Sequence, residues 1–80
     1  MNDQSILTHI EELVGEEHRL LERGDGGKLT AEDKLRLEAV QVQLDRYYDL
    51  LRQRRAREEF GQNPDSARMR SSDTVEHYQQ

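Results

Sequence analysis

The sequence predicts an all-α fold: an antiparallel two-helix hairpin with a long second helix and a C-terminal segment folded along it. Three observations carry this. Apolar residues recur at Leu37, Val40, Leu44, Tyr47 and Leu51, a three-four spacing that puts all five on one stripe of a helix. Gly24-Asp25-Gly26-Gly27 interrupts the helical pattern that precedes it. Gly61-Gln62-Asn63-Pro64 then stops the pattern that follows. The chain divides into a hairpin over 1–61, with helices over about 5–23 and 31–60, and a linker with a C-terminal segment over 62–80.

In the first helix Ile6, Ile10, Leu13, Glu17 and Leu20 trace one seam, with Leu7, Val14 and Leu21 beside it at seven-residue intervals. Ser5 is the expected N-cap, its hydroxyl placed to accept an early backbone N–H. Glu11, Glu12, Glu16, His18, Arg19, Glu22 and Arg23 fill the other face. Gly15 costs about 1 kcal/mol relative to Ala in mid-helix. Glu17 puts a carboxylate on the seam, at the rim or opposite an arginine of the facing helix. Gly24 suits the left-handed position that ends a helix.

Thr30 is the expected N-cap of the second helix, and Asp33 imitates the acidic arm of a capping box. Glu32 and Asp33 suit the positive end of the helix dipole. The two helices would run roughly 28 Å and 45 Å. A short glycine-rich connection makes them antiparallel neighbours. The first then covers the second only to about Leu51, so the basic end Arg52-Gln53-Arg54-Arg55-Ala56-Arg57 must overhang or be covered by something else. Asp73-Thr74-Val75-Glu76-His77-Tyr78 reads as one more capped turn, too short to stand alone. Met69, Val75 and Tyr78 are expected to dock it on the uncovered half of the second helix, beside Phe60.

Eighty residues allow one small domain, and 32% hydrophobic against 36% charged residues leaves it a thin core. Such scaffolds need a staple or a partner. Without cysteine there is no disulfide or thiolate metal site, which fits a cytoplasmic protein. The opening MNDQSIL lacks a basic region and an apolar run, so no signal peptide is expected. No run approaches the roughly 20 apolar residues of a membrane span. The net charge of −5 argues against general nucleic-acid binding.

No constellation of catalytic, cofactor-binding or metal-binding residues stands out. Gly24 to Lys28 fails as a phosphate loop: the glycine spacing is too short and Leu29, not a hydroxyl, follows Lys28. An EF-hand fails because Arg36 stands where its bidentate glutamate belongs. His9 with Glu12, and His18 with Glu22, are two-ligand pairs, short of a metal site. Ser5 and His9 lie one turn apart with no orienting acid or oxyanion hole.

The basic run is the sharpest feature. Arg52, Arg54, Arg55 and Arg57, with Tyr48 at the margin of the stripe, are the candidate partner-binding residues. Two sober readings compete: cations favour a helix C-terminus, and Arg54–Glu58 and Arg55–Glu59 stand at helical pairing distance. Tyr47, within the seam, reads as core.

Leu44-Asp45-Arg46-Tyr47-Tyr48-Asp49-Leu50-Leu51-Arg52-Gln53-Arg54-Arg55-Ala56 resembles a family of short actinobacterial proteins of unknown function. The opening Gln4-Ser5-Ile6-Leu7, the linker Asn63-Pro64-Asp65 with Arg68 and Arg70, and the close Val75-Glu76-His77-Tyr78-Gln79-Gln80 resemble it too. The resemblance implies a cytoplasmic helical protein and a docked tail; it supplies no catalytic residue. The prokaryotic ubiquitin-like modifier is set aside, because Gly-Gly does not precede Gln80.

The expected function is a non-enzymatic protein-interaction or adaptor module, or, as the second reading, a nucleic-acid-associated regulator using Arg52 to Arg57. A homodimer forming a four-helix bundle would cover the exposed stripe. No cofactor, membrane or small-molecule substrate is expected.

Overall fold

The computed structural model describes residues 2–25, 27–73 and 75. Two helices, α1 (Asp3–Asp25) and α2 (Ala31–Glu59), form an antiparallel hairpin, and the chain then folds back along α2 through a 3-10 turn at Pro64–Ser66. No strand occurs among the described residues. The molecule measures 49 × 26 × 15 Å, its long axis set by the 29 residues of α2, about 44 Å of helix.

The core is the predicted seam. Ile6, Ile10 and Leu20 of α1 meet Val40, Leu44 and Leu51 of α2, with Leu13, Val14, Leu37 and Tyr47 packed against them. Ile6 and Val40 lose all exposure to water. Leu50, outside the predicted stripe, and Ala67 of the tail join the same cluster, and Met69 packs against it. The tail is therefore a third element of the core.

The ends of the helices differ in detail from expectation. Asn2, not Ser5, caps α1: its Oδ1 accepts from Ser5 N at 2.8 Å, and its carbonyl accepts from Ile6 N at 3.1 Å. Both residue types cap well. Asn2 wins because it starts the helix three residues earlier than Ser5 would and sets Asp3 in the first turn, at the positive end of the dipole. At the other end Gly24 stays helical, and the left-handed residue is Gly27 (φ 71°), whose N–H reaches the Gly24 carbonyl at 2.8 Å. Gly24 answers a different need: a Cβ there would stand 3.1 Å from Leu29 Cγ.

Thr30 and Asp33 form the capping box as predicted, with Asp33 N donating to Thr30 Oγ1 at 3.0 Å. α2 ends at Glu59 rather than Phe60. Gly61 (φ 70°) turns the chain, while Gly61 N donates to Glu58 O at 3.2 Å and Gln62 N to Arg57 O at 2.7 Å. These two bonds make a Schellman motif, which satisfies carbonyls the helix leaves over.

Across the hairpin Arg36 grips both carboxylate oxygens of Glu16, Nη2 donating to Oε1 at 2.7 Å and Nε to Oε2. The acid facing an arginine is thus Glu16, one residue before the seam position Glu17. Arg36's hydrogen bonds hold the Glu16 carboxyl below its ordinary value, against the opposing effect of desolvation.

The C-terminal turn is helical at 72, 73 and 75, with Val75 N donating to Ser71 O at 3.1 Å and the Val75 side chain buried. Phe60 does not meet it: that ring is 76% exposed. The expected docking of Tyr78 lies outside the described residues.

Candidate interaction surface

At about 100° per residue, the C-terminal half of α2 presents distinct stripes, and each meets a different environment. Leu44 and Leu51 face α1. Leu50, Arg54, Gln53 and Arg46 face the tail. Tyr48, Arg52, Arg55 and Glu59 recur at i, i+4, i+7 and i+11 and share an outer stripe.

The tail from 67 to 70 has no helix or strand to pair its backbone, and α2 side chains supply the partners. Arg54 Nη1 donates to Pro64 O at 3.2 Å. Gln53 Nε2 donates to Arg68 O at 2.7 Å, and Arg68 N returns to Gln53 Oε1 at 3.5 Å. Arg46 Nε donates to Arg70 O at 2.9 Å. Beneath this ladder lies Asp49, 2% exposed, which accepts from Gln53 Nε2 at 2.9 Å and pairs with Arg70 Nε at 3.4 Å. The 3-10 turn is itself capped by Asn63, whose Oδ1 accepts from Asp65 N at 3.0 Å.

Arg54 joins three parts of the chain. Its Nε donates to Asp3 Oδ1 at 2.6 Å, at the start of α1, and its Nη1 to Asp65 Oδ1 at 3.0 Å, in the 3-10 turn. These carboxylates, Asp3 first, raise its already high pKa, so the charge is fixed at every relevant pH. The residue is 6% exposed. The helical pairing Arg54–Glu58 is replaced by this clamp.

The other candidates stand outside. Arg52 and Arg55 are exposed, Tyr48 is 41% exposed, and Arg57 is half-buried. The fold brings Tyr48, Arg52 and Arg55 together and sends Arg57 round the helix toward the tail. Tyr47 packs inward, stacked on His9 with ring centroids 5.2 Å apart. This pair lines an open cleft of about 280 Å³ with Glu12, Glu16, Arg36 and Gln43. Asp49, Gln53 and Arg46 escaped sequence reasoning. Their one visible signal is an interruption: two charges and an amide, each three or four residues from the next, on a flank where solvated side chains are ordinary.

The family described as "Protein of unknown function (DUF2630)" matches residues 2–80. The chain belongs to this family. Two relatives are named Uncharacterized protein Mb0922c, from Mycobacterium bovis, and Uncharacterized protein Rv0898c, from Mycobacterium tuberculosis. Each is 40% identical over 77 residues, covering 95% of this chain and 88% of the relative. They are actinobacterial proteins, as the resemblance of the central stretch implied. No solved structure matches the chain. No helix among the described residues is long and apolar enough to cross a membrane.

Proposed function

We propose that this member of the DUF2630 family is a non-enzymatic, cytoplasmic protein-interaction module that takes an acidic protein surface on the outer stripe of α2. The observation that carries the reading is the sharing of one exposed stripe by Tyr48, Arg52 and Arg55 while their neighbour Arg54 is engaged internally. Two arginines one turn apart offer bidentate forks to carboxylates, and a partly exposed tyrosine supplies a stiff amphipathic anchor beside them. Aromatic and arginine side chains in such proximity are the commonest centres of binding energy in protein interfaces.

A second copy of the chain is the alternative occupant. Leu7 and Leu21 remain 38% and 44% exposed, and with Val14 they form a line along one flank of α1. By helical phase this flank lies on the same side of the hairpin as Tyr48. Beyond Leu51 the α2 stripe carries no apolar side chain: Arg54 is clamped to Asp3 and Asp65, and Arg55 and Glu58 are charged and exposed. Association would therefore use this flank. The nucleic-acid reading retains only Arg52, Arg55 and Arg57, with carboxylates interleaved at Glu58 and Glu59.

Charge reversal at Arg52 and Arg55 tests the proposal. The double variant is expected to keep the wild-type melting curve and to lose the partner that wild type retains in cross-linked extracts of the native host. Undiminished retention by the folded variant would overturn it. Sedimentation equilibrium of Leu21→Glu against wild type separates the second copy from a foreign partner.

A further inference from the structure

Asp49, Gln53, Ala56 and Phe60 recur at i, i+4, i+7 and i+11, on the side of α2 turned from α1. Arg52 borders this stripe on one side and Arg57 on the other. The folded-back tail brings Gln62 and Arg70 against it. Two adjoining clefts result. One, about 120 Å³, is lined by Asp49, Arg52, Gln53, Ala56 and Arg70; the other, about 200 Å³, by Gln53, Ala56, Arg57, Gln62 and Arg70.

We propose that these clefts form one binding site for a phosphate monoester. The argument is chemical. Three arginines line the two adjoining clefts, Arg52 the first, Arg57 the second and Arg70 both, and each cleft is large enough for a phosphoryl group. Asp49 lies in the first cleft and is engaged by Gln53 and Arg70, so the charges offered to the −1.5 to −2 of a phosphate monoester are chiefly those of Arg52 and Arg57. Planar guanidinium forks match phosphate oxygens, and the Gln53 and Gln62 amides offer further donors. Arg57 is half-buried, and its side chain makes no hydrogen bond or ion pair among the described residues. A guanidinium partly withdrawn from water gains most from an anion. Phe60, 76% exposed and one turn beyond Ala56, offers a flat face to the organic group that carries the phosphate.

The site goes beyond the partner surface and shares only Arg52 with it, so the two stand or fall separately. The sequence does not reveal it, because Gln62 and Arg70 reach α2 only when the tail folds back.

The test is an NMR titration of the full ¹⁵N-labelled chain at constant ionic strength, with inorganic phosphate, a nucleoside monophosphate and, as control, chloride. Saturable shifts are expected at Gln53, Ala56, Arg57, Gln62 and Arg70 with both phosphate probes and not with chloride. Arg57→Gln, which breaks no side-chain hydrogen bond or ion pair among the described residues, is expected to keep the wild-type spectrum elsewhere and to weaken phosphate binding about tenfold. Tighter binding of the nucleoside monophosphate, lost in Phe60→Ala, would assign Phe60 to the organic group; equal binding would assign the site to the phosphoryl group alone. Unsaturable shifts, shifts reproduced by chloride, or an Arg57→Gln variant that binds phosphate as wild type does would each overturn the proposal.

Discussion

Gln53→Ala isolates the ladder that holds the tail. The Gln53 amide donates to the Asp49 carboxylate at 2.9 Å and to the Arg68 carbonyl at 2.7 Å; its oxygen accepts from Arg68 N at a long 3.5 Å. A hydrogen bond to a charged group contributes about 1.5–3 kcal/mol and a neutral one about 1 kcal/mol. The third bond is too long to add much. Arg68 is exposed, so water replaces part of what is lost there. Asp49 is buried and, among the described residues, keeps only Arg70. The expected cost is about 2–3 kcal/mol, which in a domain of this size lowers the melting temperature by roughly 8–24 °C. Circular dichroism melts measure the whole effect, and amide exchange places it. Ser66 and Ala67, whose N–H groups close the 3-10 turn, are expected to lose protection first, while the α1–α2 seam around Val40 keeps its own up to the global limit. An unchanged melt with unchanged protection at Ser66 and Ala67 would refute the view that α2 side chains hold the tail.

Gly15→Ala is expected to stabilise the protein by about 0.5–1 kcal/mol, since the new Cβ meets only the flexible tip of Arg19 at 3.4 Å; thermal melts read it directly. Val40→Ala, at a position with no exposure, is expected to cost about 2–4 kcal/mol and to lower the urea midpoint without changing helix content at low denaturant. Arg36 holds the Glu16 pKa below its ordinary 4.5, so the pair stabilises the fold above that value and the contribution fades as pH falls through the depressed folded-state pKa. Wild type is therefore expected to exceed Glu16→Gln in stability above the ordinary carboxylate range and to lose that advantage as the pH falls through the depressed Glu16 pKa, as urea melts across the acid range report.

What could be read from the sequence was whatever followed a period or a local rule. The stripe from Leu37 to Leu51 is periodic, and Thr30 with Asp33 is a local pair; both appear as expected. The start of α1 was displaced because two capping residues compete within four positions, and the competition is settled by which one lengthens the helix. The tail was harder. Met69 and Val75 were expected to dock it, and Met69 packs on the core while Val75 is buried; Ala67, a small residue outside any pattern, was not foreseen. The tail's anchors Arg46, Gln53 and Arg54 are polar side chains that bond backbone carbonyls far along the chain, and a carbonyl carries no sequence signal. For the same reason Arg54 looked identical to Arg55. Its partners Asp3 and Asp65 lie 51 and 11 residues away. The candidate surface inherited that ambiguity: its composition was legible, its division among three stripes was not.

Arg54 and Arg55 are neighbours of the same type, and the account gives them opposite roles. The most direct test compares the urea unfolding midpoints of Arg54→Ala and Arg55→Ala in the full chain. Loss of Arg54 unties Asp3 from Asp65 and is expected to lower the midpoint clearly, whereas Arg55→Ala is expected to remain at the wild-type midpoint. Equal midpoints for the two variants, or a greater loss at Arg55, would contradict the division of this basic end into an internal clamp and an outer binding stripe.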